Sequence, residues 1–595
     1  MADRTIIHDD IKLYTTAEKF YMVPNINPSE VLVIDRSTGE ASVKSYDSVK
    51  IPIPESAYKP VCGFLGSIKL ISGLYLVIVK YRILVGRLNG HDIYELAGAD
   101  IIPYARSTTH LNSKQIEDNN TYERLVRYAL ETPGLYFSYG HDMTHTLQRL
   151  HSVSPDFHKM SLATRADPRF LWNGHLLKDF SHEQFQNFTL PLIQGFVSIN
   201  NVTVNGHQLT WALVSRRSVQ RAGTRFFMRG VDTQGDVANF VETEQIIERG
   251  GEKSSFVQTR GSIPLYWTQY PNLKYKPAME LAHEDHVAAY TKHLMDQQQR
   301  YGNQVLVNLI DQCGKEEALE RGYRAAVAAA ALPGVRYEPF DFHAECRSMR
   351  YHRLNVLIDR ISHEQTEFGY FLSRGGTVLL RQSGVFRTNC IDCLDRTNVV
   401  QSLLARLQLN AALQLLAISS AGDVHPHLDS LFNNVWADHA DMISTQYSGT
   451  GALKTDYTRT GKRTYRGVIQ DGINSLTRYY KNNFSDGFRQ DSIDLFLGKY
   501  VVADGEDSTA RCPLRQAKDW KYIAFPSVLL VAMSMFCASA TLPQKYTSEV
   551  LMYLMFWGAA VGATLTFIMK HGTEFVDWPR LEAGGLAVAR AQPSL

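Results

Sequence analysis

The chain holds 595 residues, with 62 Lys and Arg against 60 Asp and Glu for a formal net charge of +2, and 44% of its residues are hydrophobic. That balance excludes the overall basicity of a nucleic-acid binder, and the length leaves room for two or three domains with ample core. The 7 cysteines are scattered except for Cys390 and Cys393, which suits a reducing compartment rather than a disulfide framework.

Met1 to Thr5 does not read as the start of a secretory signal. The Asn-x-Ser/Thr triplets at Asn119, Asn187, Asn201 and Asn483 are expected to be chance matches in a body that stays out of the lumen. Residues 1 to about 180 read as a β-rich domain. Strand material lies at Val31–Ile34, Ser67–Ile71 and Leu74–Val79, with Ser72-Gly73 as a turn, and short helices are expected at Leu125–Leu130 and Leu147–Leu150. Cys62 reads as a buried core residue.

From about 181 to 500 the pattern becomes mixed α/β. Strands are expected at 190–199, 209–215 and Gln304–Ile310, and a helix at Ala318–Ala331. The arginine-rich segment 215–229 has two readings, a phosphate-facing surface or a solvated strand edge. His343 and Cys346 have no second pair of ligands at metal spacing and read as structural. Gly449–Lys454 and Gly461-Lys462 fail the nucleotide-loop register, because Asp456 stands where the first glycine should be and Arg463 where Ser or Thr should be.

The chemistry concentrates in Arg387-Thr388-Asn389-Cys390-Ile391-Asp392-Cys393-Leu394-Asp395-Arg396-Thr397-Asn398, where five residues separate Cys390 from Arg396. Upstream, Thr377–Leu380 and Val385-Phe386 read as strand broken at Ser383-Gly384; downstream, Val399, Val400, Leu403, Leu404 and Leu407 follow helical spacing. Cys390 therefore falls on a loop between a strand and the first turn of a helix. Unpaired N–H groups and the positive end of the macrodipole make such a turn attractive to an anion. The same environment favours a thiolate, and Arg396 is expected to face the same phosphate, holding two of its oxygens.

The full string resembles the loop of the Sac-domain phosphoinositide phosphatases and matches it at every fixed position. The resemblance continues through Ser215–Ser218, Arg221–Arg225, Arg229-Gly230, Ala238–Gln245, Gln258–Pro264, Gly449–Arg463, Tyr479–Phe484 and Asp486–Asp491. It implies an α/β (α+β) chain with a β-rich N-terminal domain (1–180) packed against a cysteine-phosphatase-like catalytic domain (181–500). It also implies hydrolysis of a monophosphorylated inositol lipid, chiefly phosphatidylinositol 4-phosphate and also the 3-phosphate, through a cysteinyl-phosphate. Cys390 is the expected nucleophile, Arg396 the phosphate clamp, and Asp395 or Asp392 the acid, Asp395 being favoured by likeness to myotubularin-type loops. Asn389, Ile391, Cys393, Leu394 and Thr397 complete the expected substrate loop. Cys393 either pairs with Cys390 on oxidation or packs under the loop. No metal or cofactor is implied. The run Lys454, Arg459, Lys462, Arg463 and Arg466 is read either as a solvated face or as a contact with substrate and an anionic bilayer.

Residues 501–520 read as a polar linker of about 25 Å mean reach, which favours action on the membrane that holds the anchor. Tyr522–Leu542 and Val550–Met569 are apolar runs long enough to span a bilayer within a 521–570 hairpin. Lys518, Lys521, Lys570 and Arg580 flank the outer ends, so the catalytic domain and the 571–595 tail are expected in the cytosol. The likeness points to the endoplasmic reticulum and Golgi membranes and to lipid-transfer and contact-site proteins as partners, although Ala591–Leu595 carries no lysine-based retrieval signal. Two rival readings, a protein-tyrosine or dual-specificity phosphatase and an inactive membrane tether, are disfavoured by the anchor and by the intact Cys390/Arg396 pair.

Overall fold

The structure is a computed structural model that describes residues 7–26, 28–347, 350–503, 512–515, 520–543 and 545–581. Strands between Ile11 and Val61 form a 5-stranded antiparallel sheet. A second, 13-stranded sheet runs through the rest of the body. Antiparallel strands from Gly63–Leu70 to Ile193–Val204 continue through His207–Arg217 and Val241–Arg249 to Glu252–Arg260. There the direction changes: Glu252–Arg260, Gly384–Asn389, Asn303–Asn308 and Val335–Pro339 run parallel. The strands before and after residue 180 are joined where Leu135–Phe137 pairs with Ile193–Val204.

Local chemistry explains most element limits. The hairpin between Ile193–Val204 and His207–Arg217 turns on Asn205-Gly206, both in the left-handed region, as a tight two-residue turn requires. The helix expected over 125–130 is longer, Ser113–Glu131, because Asn112 and Gln115 close a capping box at its start. Tyr122, Leu125 and Val126 on that helix face a core shared with Val77 and Val79 of the sheet. The largest core lies on the other half of the sheet, where Trp211 and Phe256 meet Val400, Leu404, Phe432 and Trp436. Those last four belong to two helices, Asp395–Leu415 and Pro426–Ser448, which cover that face.

Charged groups enter the sheet itself. Arg216 is buried and donates to Glu242 at 2.9 Å and to Glu244 at 2.8 Å. Its remaining N–H groups reach the Met143 and His145 carbonyls. The solvated-edge reading of this part of the 215–229 segment is therefore replaced by a buried, fully paired triad.

At the C-terminal end, Lys521–Thr541 and Ser548–Lys570 are two helices long and apolar enough to cross a membrane, with mean hydropathies of 2.0 and 1.7. They pair as a hairpin, with Phe525 stacked on Phe567 at 4.1 Å. Both ends of the hairpin lead to chain that is packed on the body. Cys512 and Leu514 are buried against the Ser113–Glu131 helix, and Arg515 donates to Asp118 at 3.0 Å, so this part of the expected flexible linker is seated. Linker residues 504–511 and 516–519 lie outside the described residues. Beyond the second helix, the Asp577 N–H donates to the Asn483 carbonyl, the Phe488 N–H to Asp577, and the Arg580 and Leu581 N–H groups to Asp491. Trp578 packs against Phe227 and Tyr270. The tail is thus a strap along the catalytic body as far as Leu581, and its residues 582–595 lie outside the described residues.

The buried triad gives a stability prediction. Arg216→Met should destabilise the protein by about 3–5 kcal/mol in chaotrope unfolding, because it leaves Glu242 and Glu244 buried without a cation. Replacing all three residues by apolar ones of similar volume should recover most of that loss.

Candidate active site

The loop is set at the C-terminal end of the parallel strands. Asn389 ends its strand beside Asn308, its Nδ2 donating to Asn308 Oδ1 at 2.6 Å, and the Leu309 N–H bonds the Asn389 carbonyl. The chain then turns through Cys390–Leu394 into the helix that begins at Asp395. Strand, loop and helix follow the order expected from the sequence, and the crevice lies where ligands meet open α/β sheets. Among the described residues, the backbone N–H groups of Ile391 to Asp395 donate to no protein acceptor. With the helix N-terminus behind them they form an anion-binding concavity.

Cys390 is buried at the floor of this loop and joins the core that contains Val400 and Leu404. Cys393 adopts a left-handed backbone (φ 53°) and its Sγ donates to the Cys390 carbonyl at 3.3 Å. Burial pushes its thiol up to about 12, and the nearby Cys390 adds to the effect. Cys393 is thus a buried free thiol under the loop. Ile391 packs beside Ile263 and Leu306, and Leu394 beside Val241, Ile443 and Tyr447. The Thr397 hydroxyl is buried without a protein partner.

The two carboxylates have opposite environments. Arg225 grips Asp392 through Nε at 2.9 Å and Nη2 at 2.8 Å, and Arg229 adds a bond of 2.6 Å. Burial opposes its charge, but the two guanidiniums outweigh that and hold the carboxyl well below the usual range. Asp392 is thus a permanent anion. Asp395, in the first helical turn, accepts from the Leu453 N–H at 3.0 Å. Burial raises its pKa above the ordinary carboxylate value, with Arg478 and that N–H resisting.

Arg396 departs from the expected pose. Its Nη1 donates to the Leu309 carbonyl at 3.0 Å and lies 3.3 Å from Asp311, and its Nη2 donates to Glu316 at 3.1 Å. Burial works against its charge, but Cys390 and Glu316 outweigh it and keep the guanidinium protonated. The side chain is near Cys390, yet it is fastened to carboxylates beyond the neighbouring strand rather than folded over the loop. His343 Nδ1 bonds Asp311 at 2.7 Å, which gives that residue a place in the same network.

Several residues that sequence reasoning did not assign to the site converge here. Arg225 and Arg229 come from the arginine-rich segment, and Asn239 donates to the Asp392 carbonyl at 3.2 Å. Arg260 is fully buried under the loop, with Asn398 at 3.4 Å. Burial lowers its pKa to about 10, while Cys393 and Cys390 draw it back up. Asn398 Oδ1 also accepts from His439 Nδ1 at 2.8 Å, and His439 Nε2 accepts from Ser215. The signal was present only as short sequence blocks, Arg221–Arg225, Ala238–Gln245 and Gln258–Pro264, without a spacing that linked them to the loop.

The basic run divides. Arg459 bonds Asp438 at 2.7 Å and the Asn434 carbonyl, and Arg463 pairs with Asp456 and Asp471. Those two cations are neutralised within the protein. The side chains of Lys454, Lys462 and Arg466 are exposed and have no carboxylate partner among the described residues. The run reaches the site through its backbone, at Leu453 on Asp395.

The description "SacI homology domain" matches residues 62–347, a stretch that ends before the loop. Over the whole chain, the phosphatidylinositol-3-phosphatase SAC1 of Drosophila melanogaster is 50% identical over 586 residues, covering 97% of this chain and 98% of that protein. The phosphatidylinositol-3-phosphatase SAC1-B of Danio rerio is 45% identical, covering 96% and 98%. The phosphatidylinositol-3-phosphatase SAC1 of Saccharomyces cerevisiae is 38% identical, covering 93% and 91%. Matched end to end at these identities, the chain belongs to the SacI homology domain family.

Proposed function

We propose that the chain is a membrane-anchored phosphoinositide phosphatase that works through a cysteinyl-phosphate. The observation that carries the reading is Cys390 at the floor of a loop whose N–H groups are free and whose flanks carry Arg260 and Arg396. In the first step the Cys390 thiolate attacks phosphorus in line, the bond to the inositol oxygen breaks, and Asp395 delivers a proton to that oxygen. In the second, water attacks phosphorus of the cysteinyl-phosphate, Asp395 takes a proton from that water, the S–P bond breaks to restore the Cys390 thiolate, and inorganic phosphate leaves. The loop N–H groups neutralise the equatorial oxygens, where they act on charge that builds in the transition state. Arg396 joins them by exchanging Glu316 for the phosphate. The N–H groups, Arg396 and Arg260 supply the positive charge for this without a metal or a cofactor.

The opposite environments of the carboxylates support Asp395 as the acid and assign Asp392 to positioning. A proton donor needs a raised pKa, as burial gives Asp395. Asp392, clamped by Arg225 and Arg229, fixes the shape of the loop instead.

The relatives named above are phosphatidylinositol-3-phosphatases by name. Phosphatidylinositol 4-phosphate is proposed as the main substrate and the 3-phosphate as the second. The apolar hairpin anchors the enzyme with both outer ends in the cytosol, and the endoplasmic reticulum and Golgi are the proposed membranes. The seated linker residues and the strap after the second helix favour action on the same membrane, with substrate made elsewhere brought by lipid-transfer and contact-site proteins.

Three variants test this reading on a panel of phosphoinositides. Cys390→Ser should abolish phosphate release while the unfolding midpoint stays put, and the wild type should keep full activity in excess chelator; a strict divalent-ion requirement would contradict it. Asp395→Asn should lower kcat by about 10²–10⁴-fold and remove the alkaline limb of the pH profile. That limb arises because activity is lost as pH rises through the pKa of the acid, which lies above the ordinary carboxylate range. Asp392→Asn should instead destabilise the fold by about 3–5 kcal/mol, since it leaves Arg225 and Arg229 unpaired, and it should keep the alkaline limb.

A further inference from the structure

The helix Tyr465–Phe484 has one apolar face that the protein does not cover. Tyr465, Val468, Ile469, Ile473, Leu476 and Tyr480 are all exposed, Tyr465 by 82% and Leu476 by 73%. Their spacing puts them on a single broad stripe of the helix. The opposite face is bound to the body: Arg478 reaches the Gly451 carbonyl at 2.8 Å, and Asn474 the Ala452 carbonyl. A soluble surface does not leave so many large apolar groups together without a partner.

Three observations identify the partner. The stripe runs through Ile469 and Leu476 at intervals of seven residues to Asn483, and there the face stops being exposed. It is covered by the chain that emerges from the second apolar helix: the Asp577 N–H bonds the Asn483 carbonyl, and Asn483 Oδ1 accepts from Leu273. Leu273 in turn packs on Ile568, in the last turn of that apolar helix. The exposed stripe is therefore continuous with the point where the anchor leaves the bilayer. At its other end it is flanked by Lys462 and Arg466, exposed cations that no carboxylate of the described residues neutralises. An apolar face with a basic border, about 30 Å long, is the form of a helix that lies in a lipid headgroup region.

We infer that the Tyr465–Phe484 helix docks in the interface of the anchoring membrane, its apolar stripe among the lipids and Lys462 and Arg466 on anionic headgroups. The occupant of this face is a bilayer. The helix also couples docking to the site. Asp471 on its inner face accepts from the Lys454 N–H at 3.0 Å, and the preceding residue, Leu453, bonds Asp395. Docking thus sets the rim that carries Asp395 beside the lipid surface, where a headgroup phosphate is presented. The inference rests on the phosphatase reading above, and it adds a residue set that acts on membrane-held substrate alone.

The test uses the full chain in proteoliposomes that contain anionic lipid. In Ile473→Glu/Leu476→Glu, hydrolysis of a bilayer-embedded phosphoinositide should fall by about tenfold or more, since charges on the apolar face oppose burial in lipid. Hydrolysis of the same headgroup on a water-soluble short-chain lipid should remain at the wild-type rate. A photoreactive carbene lipid should label peptides from 465–480 in the wild type and spare them in the double variant. Unchanged hydrolysis in the bilayer with no labelling would overturn the inference, as would cross-links from this face to a second copy of the chain in place of lipid. Loss of both substrates would mean that the variant has failed to fold; Leu476→Gln, which keeps the helix and the volume, should then show the selective loss, and equal loss on both substrates there would also overturn it. A wild type inactive on the short-chain lipid would count against the phosphatase reading itself, whereas the labelling result speaks to the helix alone.

Discussion

The site depends on one charge cluster, the Asp392 carboxylate held by Arg225 and Arg229. The bonds join positions more than 160 residues apart in the chain, and they bring the arginine-rich segment against the loop. Removing three charged groups from water costs several kcal/mol per ion unless each is closely paired. Here the pairing is bidentate from Arg225, and Arg229 is further bonded to the Ile391 carbonyl and to Gln269. Because Asp392 sits inside the loop, its fixation constrains the path of the chain from Cys390 to Asp395. A loop designed only to attract phosphate would avoid a carboxylate; this one contains a carboxylate whose charge is already consumed.

The same logic governs the other charges around the site. Arg396 is balanced by Glu316 and Asp311, and Arg463 by Asp456 and Asp471. Arg260 and Arg387 differ: both are buried cations with no carboxylate partner among the described residues. Asp395 has the complementary environment, a carboxyl with no ion pair among the described residues whose pKa burial raises above the ordinary value.

How much of this was legible follows from sequence separation. The strand, the loop and the helix after Arg396 were readable because period-2 and period-3.6 patterns lie next to one another in the chain. The apolar hairpin was readable from two long apolar runs. The left-handed Cys393 and the path of Arg396 were not, since each depends on neighbours from distant segments: Arg396 on Leu309 and Glu316, Cys393 on the packing of the loop. The arginine-rich segment was identified as unusual, but the solvated-edge reading gave no weight to charges that turn inward. Arg216 and Arg229 face inward, to glutamates and to Asp392. The basic run was read as one unit, but two of its cations, Arg459 and Arg463, are paired within the protein. The linker was read from polarity alone, which gives no weight to the burial of Cys512 and Leu514 or to the strap that returns from the second apolar helix.

The apolar hairpin and the catalytic body are therefore parts of one arrangement, in which the chain leaves the second apolar helix and is bonded at once to the Asn483 and Asp491 region. Chemistry at Cys390 remains the claim on which the rest turns. The most direct measurement is rapid acid quench of the full-length enzyme during turnover of phosphatidylinositol 4-phosphate, followed by peptide mass spectrometry for a phosphorylated residue. The account predicts a single phosphate adduct on Cys390 that forms within the first turnover and is absent in Cys390→Ser. Turnover without an adduct, or an adduct on any other residue, would contradict it.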